Sequence, residues 1–156
     1  MRIRDYKSTD CTEIAQLFHE TVHAVNARDY TKSQLDVWAD GRVDITVWNQ
    51  SFLAHHTLVA EEGNTMVGFC DMDRNGYLDR LYVHKDYQRK GIATALVNEL
   101  EKQIAVYGIS RFTTHASITA KPFFEKQGYI VIRENTVVRD GMELINYIME
   151  KYLNVI

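Results

Sequence analysis

Apolar residues recur along this chain at two spacings, and the change from one to the other sets out its elements. Arg2–Tyr6 reads as a short strand. Ser8-Thr9-Asp10 offers N-capping oxygens, and after it Ile14, Leu17, Phe18, Thr21, Val22 and Val25 recur at helical spacing. A second short helix is predicted over Ser33–Ala39, presenting Leu35 and Trp38, while Asp40 to His55 shows no readable period. From His56 the pattern becomes that of strands. Thr57–Glu61 and Thr65–Asp71 flank Gly63-Asn64, a two-residue hairpin signal, and Asn75-Gly76 marks a turn before Tyr77–Val83. Ile92–Tyr107 is predicted as a helix with Ala95, Leu96, Leu100, Ile104 and Tyr107 facing inward and Gly108 as its left-handed cap. Arg111–His115 reads as a strand. Ala120–Gln127 reads as a short helix that tolerates Pro122 in its first turn and ends at Gly128. Tyr129–Val138 and Met142–Lys151 are the last strands, joined through Asp140-Gly141.

This order predicts an α/β (α+β) chain with a mixed, mostly antiparallel sheet of six to seven strands and helices on both faces. The helix between Val83 and Arg111 is long enough for a crossover, so those two strands are expected to be parallel neighbours. No repeat, low-complexity tract or linker divides the chain, which points to one domain over residues 1–156.

Composition narrows the setting. The net charge of −3 comes without a basic run or tail, which gives no sign of a nucleic-acid partner. Cys11 and Cys70 have no metal-type or CxxC spacing and fit a reduced cytoplasmic protein. The first residues are too polar for a signal peptide, and no apolar run is long enough to cross a bilayer. The expected location is the cytoplasm, with no membrane partner.

The sharpest chemistry lies in Gln88-Arg89-Lys90-Gly91-Ile92-Ala93, between a strand and a helix. A helix start carries unpaired N–H groups and partial positive charge, which suit a pyrophosphate. Gly91 and Ala93 lack bulk, the basic side chains add charge, and Thr94 adds a hydroxyl. Neither a P-loop nor a dinucleotide fingerprint is present. Spacing alone supports an anion site or a simple strand-to-helix turn.

Leu78-Asp79-Arg80-Leu81-Tyr82-Val83 followed by Gln88-x-x-Gly91-x-Ala93 resembles motif A of the GNAT superfamily of N-acetyltransferases. Downstream, Ser117-x-x-Ala120-x-x-Phe123-Phe124-Glu125-Lys126-x-Gly128-Tyr129 resembles that family's Asn-x-x-Ala-x-x-Phe-Tyr-Glu-Lys-x-Gly-Phe segment. The resemblance implies acetyl-CoA as co-substrate and direct attack by a primary amine of a small molecule, peptide or protein, without a metal. It implies that backbone groups of Leu81, Tyr82 and Val83 pair with the pantetheine arm. Gln88, Arg89, Lys90, Gly91, Ile92, Ala93 and Thr94 would then hold the pyrophosphate, Ser117 would bond the pantetheine, and Phe124 would flank the cofactor. The slot is expected between strands Tyr77–Val83 and Arg111–His115.

Acetyl transfer needs a base for the amine, stabilisation of the carbonyl oxygen and a proton for the thiolate. Strand alternation puts Tyr77 and Asp79 on one face with Leu81 and Val83. Asp79 is the first candidate base and Tyr77 the second; Asp79 pairing with Arg80, Arg111 or Lys85 is the structural reading of the same residue. Phe124 stands where relatives often carry the Tyr that protonates the thiolate, and it cannot donate a proton. Tyr82, His115 and Ser117 are possible substitutes. Cys70 is a conceivable acyl-enzyme nucleophile, or simply a buried strand thiol. In the resemblance the first helix borders the acceptor, which brings in His23, Tyr30 and Trp38, with His19 beside them.

Two other function classes stay open. One is an acyl-CoA-binding module without catalysis, encouraged by Phe124. The other is a zinc hydrolase, because His19-Glu20-Thr21-Val22-His23 satisfies His-Glu-x-x-His on a predicted helix. His55-His56 reads as strand-edge decoration. Either a monomer or a homodimer fits the sequence.

Overall fold

In a computed structural model, which describes residues 1–153, the elements run β1 (Arg2–Asp5), α1 (Cys11–Ala24), α2 (Lys32–Trp38), α3 (Ile45–Ala54), β2 (His56–Glu62), β3 (Thr65–Met72), β4 (Tyr77–Val83), α4 (Ile92–Ala105), β5 (Arg111–Ser117), α5 (Lys121–Lys126), β6 (Ile130–Arg139) and β7 (Met142–Tyr152). Residues 154–156, the end of the predicted domain, lie outside the described residues. The strands form one sheet in the order β1-β2-β3-β4-β5-β7-β6. Every pairing is antiparallel except β4 with β5, as the α4 crossover requires. The predicted class, strand number and parallel pair are all borne out.

Each face of the sheet is covered by its own core. On one face Leu58, Ala60, Cys70, Met72, Leu78 and Val83 pack against Leu96, Leu100 and Ile104 of α4 and Phe124 of α5. On the other, Val59, Phe69 and Leu144 pack against Ile14, Leu17, Phe18 and Val22 of α1, Leu35 of α2 and Phe52 of α3. Gly68 is what lets α4 approach: a Cβ there would lie 3.1 Å from Ile92 and 3.2 Å from Leu96.

Two expectations need correction. The unreadable stretch before His55 contains helix α3, capped by Asp44, whose side chain accepts the Val47 N–H. The helix after Gly91 stops at Ala105, and Tyr107 is exposed, with its hydroxyl beside His56 at 2.9 Å. No described helix is long and apolar enough to cross a membrane.

Candidate active site

β4 and β5 are paired over two positions only, Tyr77 with Thr113 and Leu78 with Thr114, and the Thr114 hydroxyl donates to the Leu78 carbonyl at 3.0 Å. Beyond that point β4 continues to Val83 and β5 to Ser117 without meeting. The result is a wedge whose two sides are strand edges. Antiparallel β7 holds the far side of β5 along its whole length, so the opening is built into the sheet.

A bulge sits at the apex. Asp71 pairs with Arg80 but Met72 pairs with Leu78, leaving Asp79 as the extra residue of β4. This breaks the alternation assumed from sequence. Leu78, Leu81 and Val83 belong to the α4 face, whereas Asp79 and Arg80 reach the α3 side, where their charged groups lie 3.4 Å apart. Tyr77 and Asp79 therefore do not share a face with Leu81 and Val83. Burial raises the Asp79 carboxyl above its ordinary range, opposed by Arg80 and helped by Asp71. Burial, with Asp79 and Asp71 nearby, pushes the Tyr77 phenol up to about 12. A phenol held this high stays protonated at neutral pH and is set up to donate rather than to accept a proton.

The open end of the wedge meets the start of α4. Gly91 is the N-cap, at φ 79°, and Arg89 is also left-handed at φ 58°. No side chain caps this helix, so the first-turn N–H groups of Ile92, Ala93 and Thr94 are free of such a partner. A Cβ on Gly91 would meet nothing within 4 Å. Arg89 and Lys90 are exposed around this concavity, and the Lys90 ammonium lies 5.2 Å from the centre of the Tyr87 ring. Gln88 works differently from the expectation: its amide donates to the carbonyls of Val83 at 2.7 Å and His84 at 3.3 Å, fastening the loop to β4. The Val83 carbonyl also accepts the Thr21 hydroxyl at 3.0 Å, so this carbonyl is not free to pair with a ligand.

On the β5 side, the Ser117 hydroxyl accepts the Ala120 N–H at 3.0 Å and sets the start of α5. Phe124 is 2% exposed, packed with Phe123 and Tyr129 in the α4-side core. Its observed role is packing rather than lining the wedge. Cys70 is fully buried, and burial, with Asp71 and Glu101 near, pushes its thiol far up, which removes it as a nucleophile.

Of the three expected acceptor residues, Tyr30 is a brace. Its hydroxyl donates to the Ile145 carbonyl at 2.6 Å and accepts the Ile118 N–H at 2.9 Å, tying β7 to the end of β5 on the side away from the wedge. Tyr30→Phe leaves both backbone groups without that partner and is expected to lower stability by about 2 kcal/mol, measurable by urea unfolding. Trp38 packs edge-on against Tyr30 and lies beside Tyr82, a phenol that burial drives up. His23 Nε2 is held at 2.7 Å from the Ala39 carbonyl. That contact also counts against the zinc reading: the His19 and His23 rings are packed 4.4 Å apart, and among the described residues they gather no third ligand.

Sequence reasoning read His55 as strand-edge decoration, whereas it sits at the end of α3 against Asp71, which nothing in the sequence singles out. Asp71 is fully buried; Arg80 donates to its Oδ1 at 3.0 Å and its Oδ2 at 2.6 Å, and His55 Nδ1 lies 2.8 Å from Oδ2. The Arg80 guanidinium also bonds Ser51 at 2.6 Å and lies over the Phe52 and Trp48 rings at 4.2 and 5.1 Å. Arg80 is thus the partner of Asp79, as the structural reading allowed, but its main partner is Asp71. Arg111 pairs instead with Glu150.

Known proteins share this fold. Residues 26–151 match the model of the acetyltransferase (GNAT) domain. The uncharacterized N-acetyltransferase YafP of Escherichia coli is 31% identical over 149 residues, covering 96% of this chain and 94% of its own. A GCN5-related N-acetyltransferase from Rhodopseudomonas palustris superposes with a TM-score of 0.93 at 32% identity, over 97% of this chain and 95% of that one. The fold also matches PaiA N-acetyltransferase from Thermoplasma acidophilum, solved in complex with coenzyme A, with a TM-score of 0.76 at 24% identity over 97% and 98% of the two chains. A parallel pair that parts at a bulge and opens onto an uncapped helix, in a chain matched over most of its length, makes this protein a member of the GNAT family of acetyltransferases.

Proposed function

We propose that this chain transfers the acetyl group of acetyl-CoA to a primary amine, by direct attack within the β4–β5 wedge. The observation that carries the reading is the wedge itself, opening onto the uncapped start of α4. A pantetheine arm entering it meets the free edge of β4 at Leu81 and Tyr82, while the pyrophosphate reaches the N–H groups of Gly91 to Thr94. The bound coenzyme A of the PaiA protein and the acetyl-CoA of YncA from Salmonella typhimurium support that choice of ligand.

At the apex Asp79 takes the proton of the incoming amine, its raised carboxyl making it a better base near neutral pH than an ordinary aspartate. The amine nitrogen bonds to the thioester carbon and the C–S bond breaks. Tyr77, one residue before the last paired position at Leu78, is the phenol nearest that point to protonate the departing thiolate in place of the family Tyr that Phe124 replaces. With Cys70 buried, no acyl-enzyme is formed.

The test is acetyl-CoA-dependent thiol release across polyamines, aminoglycosides, amino acids and peptides. Release that needs both acetyl-CoA and one class of amine is expected. Tight binding of acetyl-CoA with no product from any class replaces the enzyme with a binding module.

A further inference from the structure

The two walls of the wedge are strand edges that face one another without pairing, and such edges tend to pair. A pantetheine arm laid between them as an extra strand needs the edges about 10 Å apart, two strand spacings. The two shared positions, at Tyr77 and Leu78, set the apex but not the width of the mouth. That width has to be held from outside the sheet.

One short segment grips both walls at the mouth. Thr21, buried near the end of α1, donates its hydroxyl to the carbonyl of Val83, the last residue of β4. Phe18, one turn earlier, packs edge-on against Tyr82 with ring centres 4.9 Å apart. At the other wall, the Tyr30 hydroxyl accepts the Ile118 N–H just beyond β5, and the Asp29 carboxylate accepts the Thr119 hydroxyl at 2.8 Å. Through the Ile145 carbonyl the same Tyr30 hydroxyl holds the end of β5 to β7, away from β4. Between the two grips the backbone has no slack: the N–H of Val25 donates to Thr21, that of Arg28 to Val25, and those of Asp29 and Tyr30 to Asn26. Trp38 touches both ends, packed on the Tyr30 ring and lying beside Tyr82.

We infer that residues 21–30 form a strut that fixes the width of the wedge mouth, with Thr21 and Tyr30 as positioning residues for acetyl-CoA. The inference rests on the wedge being the acetyl-CoA site. With either end of the strut released, β4 and β5 close part of the time, and acetyl-CoA binds only the open form. An open fraction of about one tenth weakens the apparent affinity about tenfold. The grips lie at the mouth, away from the apex where bonds change, so the loss falls on KM for acetyl-CoA rather than on kcat.

Thr21→Val and Tyr30→Phe, singly and together in the full chain, test this by calorimetry with acetyl-CoA. Thr21→Val keeps the side-chain shape, and the Val83 carbonyl keeps its bond from the Gln88 amide. Each single variant is expected to weaken binding about tenfold, and Thr21→Ser to restore it. Should Tyr30→Phe fail to fold, Thr119→Val releases the same wall at Asp29. The double variant separates one strut from two independent anchors. Thr21 and Tyr30 share no hydrogen-bond partner, and the effects of such sites normally add. A strut predicts a double variant within about twofold of the singles, because the first release already frees the mouth. A loss near a hundredfold in the double variant, wild-type affinity in both singles, or a loss confined to kcat overturns the strut. A wild-type chain that does not bind acetyl-CoA overturns instead the ligand reading beneath it.

Discussion

Gly91→Glu is expected to weaken acetyl-CoA binding by about a hundredfold or more while the domain stays folded. The new side chain enters open space, since a Cβ at Gly91 has no neighbour within 4 Å, and that space faces the unpaired N–H groups of the first turn of α4. Like charges about 4 Å apart near a protein surface repel by about 4 kcal/mol before salt screening, which is enough for the stated loss. The carboxylate also competes for the same donors. Left-handed backbone at φ 79° adds a cost of about 1–2 kcal/mol for a residue with a Cβ. That is small against the stability of a domain of this size, and circular dichroism melting will show it as a modest shift. Gly91→Asn is the control: it tolerates the backbone conformation, carries no charge, and should retain most of the affinity. Undiminished binding of acetyl-CoA to Gly91→Glu in calorimetry removes the phosphate site from this loop.

What the sequence showed and what it hid divide along a physical line. Elements whose apolar faces are regular were readable: the stripe Ile14-Leu17-Phe18-Thr21-Val22 gave α1, and the glycine turns gave the hairpins, with Asp140 and Gly141 both left-handed as a two-residue turn demands. Helix α3 was not readable because its apolar residues are spread around the helix rather than gathered on one stripe: Phe52 is buried, but Ile45, Val47 and Leu53 are exposed. The uncapped loop before α4 was legible because it is local. The bulge was not. Tyr77, Asp79, Leu81 and Val83 keep period two in sequence, and only the register imposed by β3 places the extra residue at Asp79. For the same reason the Asp71–Arg80 pair could not be seen: the two residues meet across neighbouring strands, and His55 joins them from the end of a helix that the pattern did not reveal. Phe124 was legible as a departure from the family pattern, but its burial behind Tyr129 was not.

Asp79→Asn separates chemistry from architecture, because its two effects run in opposite directions. Turnover is expected to fall by about a hundredfold to ten-thousandfold, the usual contribution of a positioned general base, with acetyl-CoA affinity unchanged. In the wild-type protein kcat/KM should rise with pH as the Asp79 carboxyl ionises, with a midpoint above that of an ordinary aspartate, and Asn abolishes that limb. Stability should behave otherwise. The folded-state pKa is raised, so Asp79 favours the folded state when protonated, and that contribution is lost as pH rises through the folded value. At neutral pH the ionised group is therefore a burden on folding, and Asn relieves it. Arg80 keeps its two bonds to Asp71 in the variant, so no buried cation is left unpaired. A melting temperature equal to or above that of the wild type, together with collapsed turnover, is the expected pair of results. A variant that loses stability and activity in parallel would show that Asp79 serves the sheet rather than the reaction, and the base would then have to be sought elsewhere around the wedge.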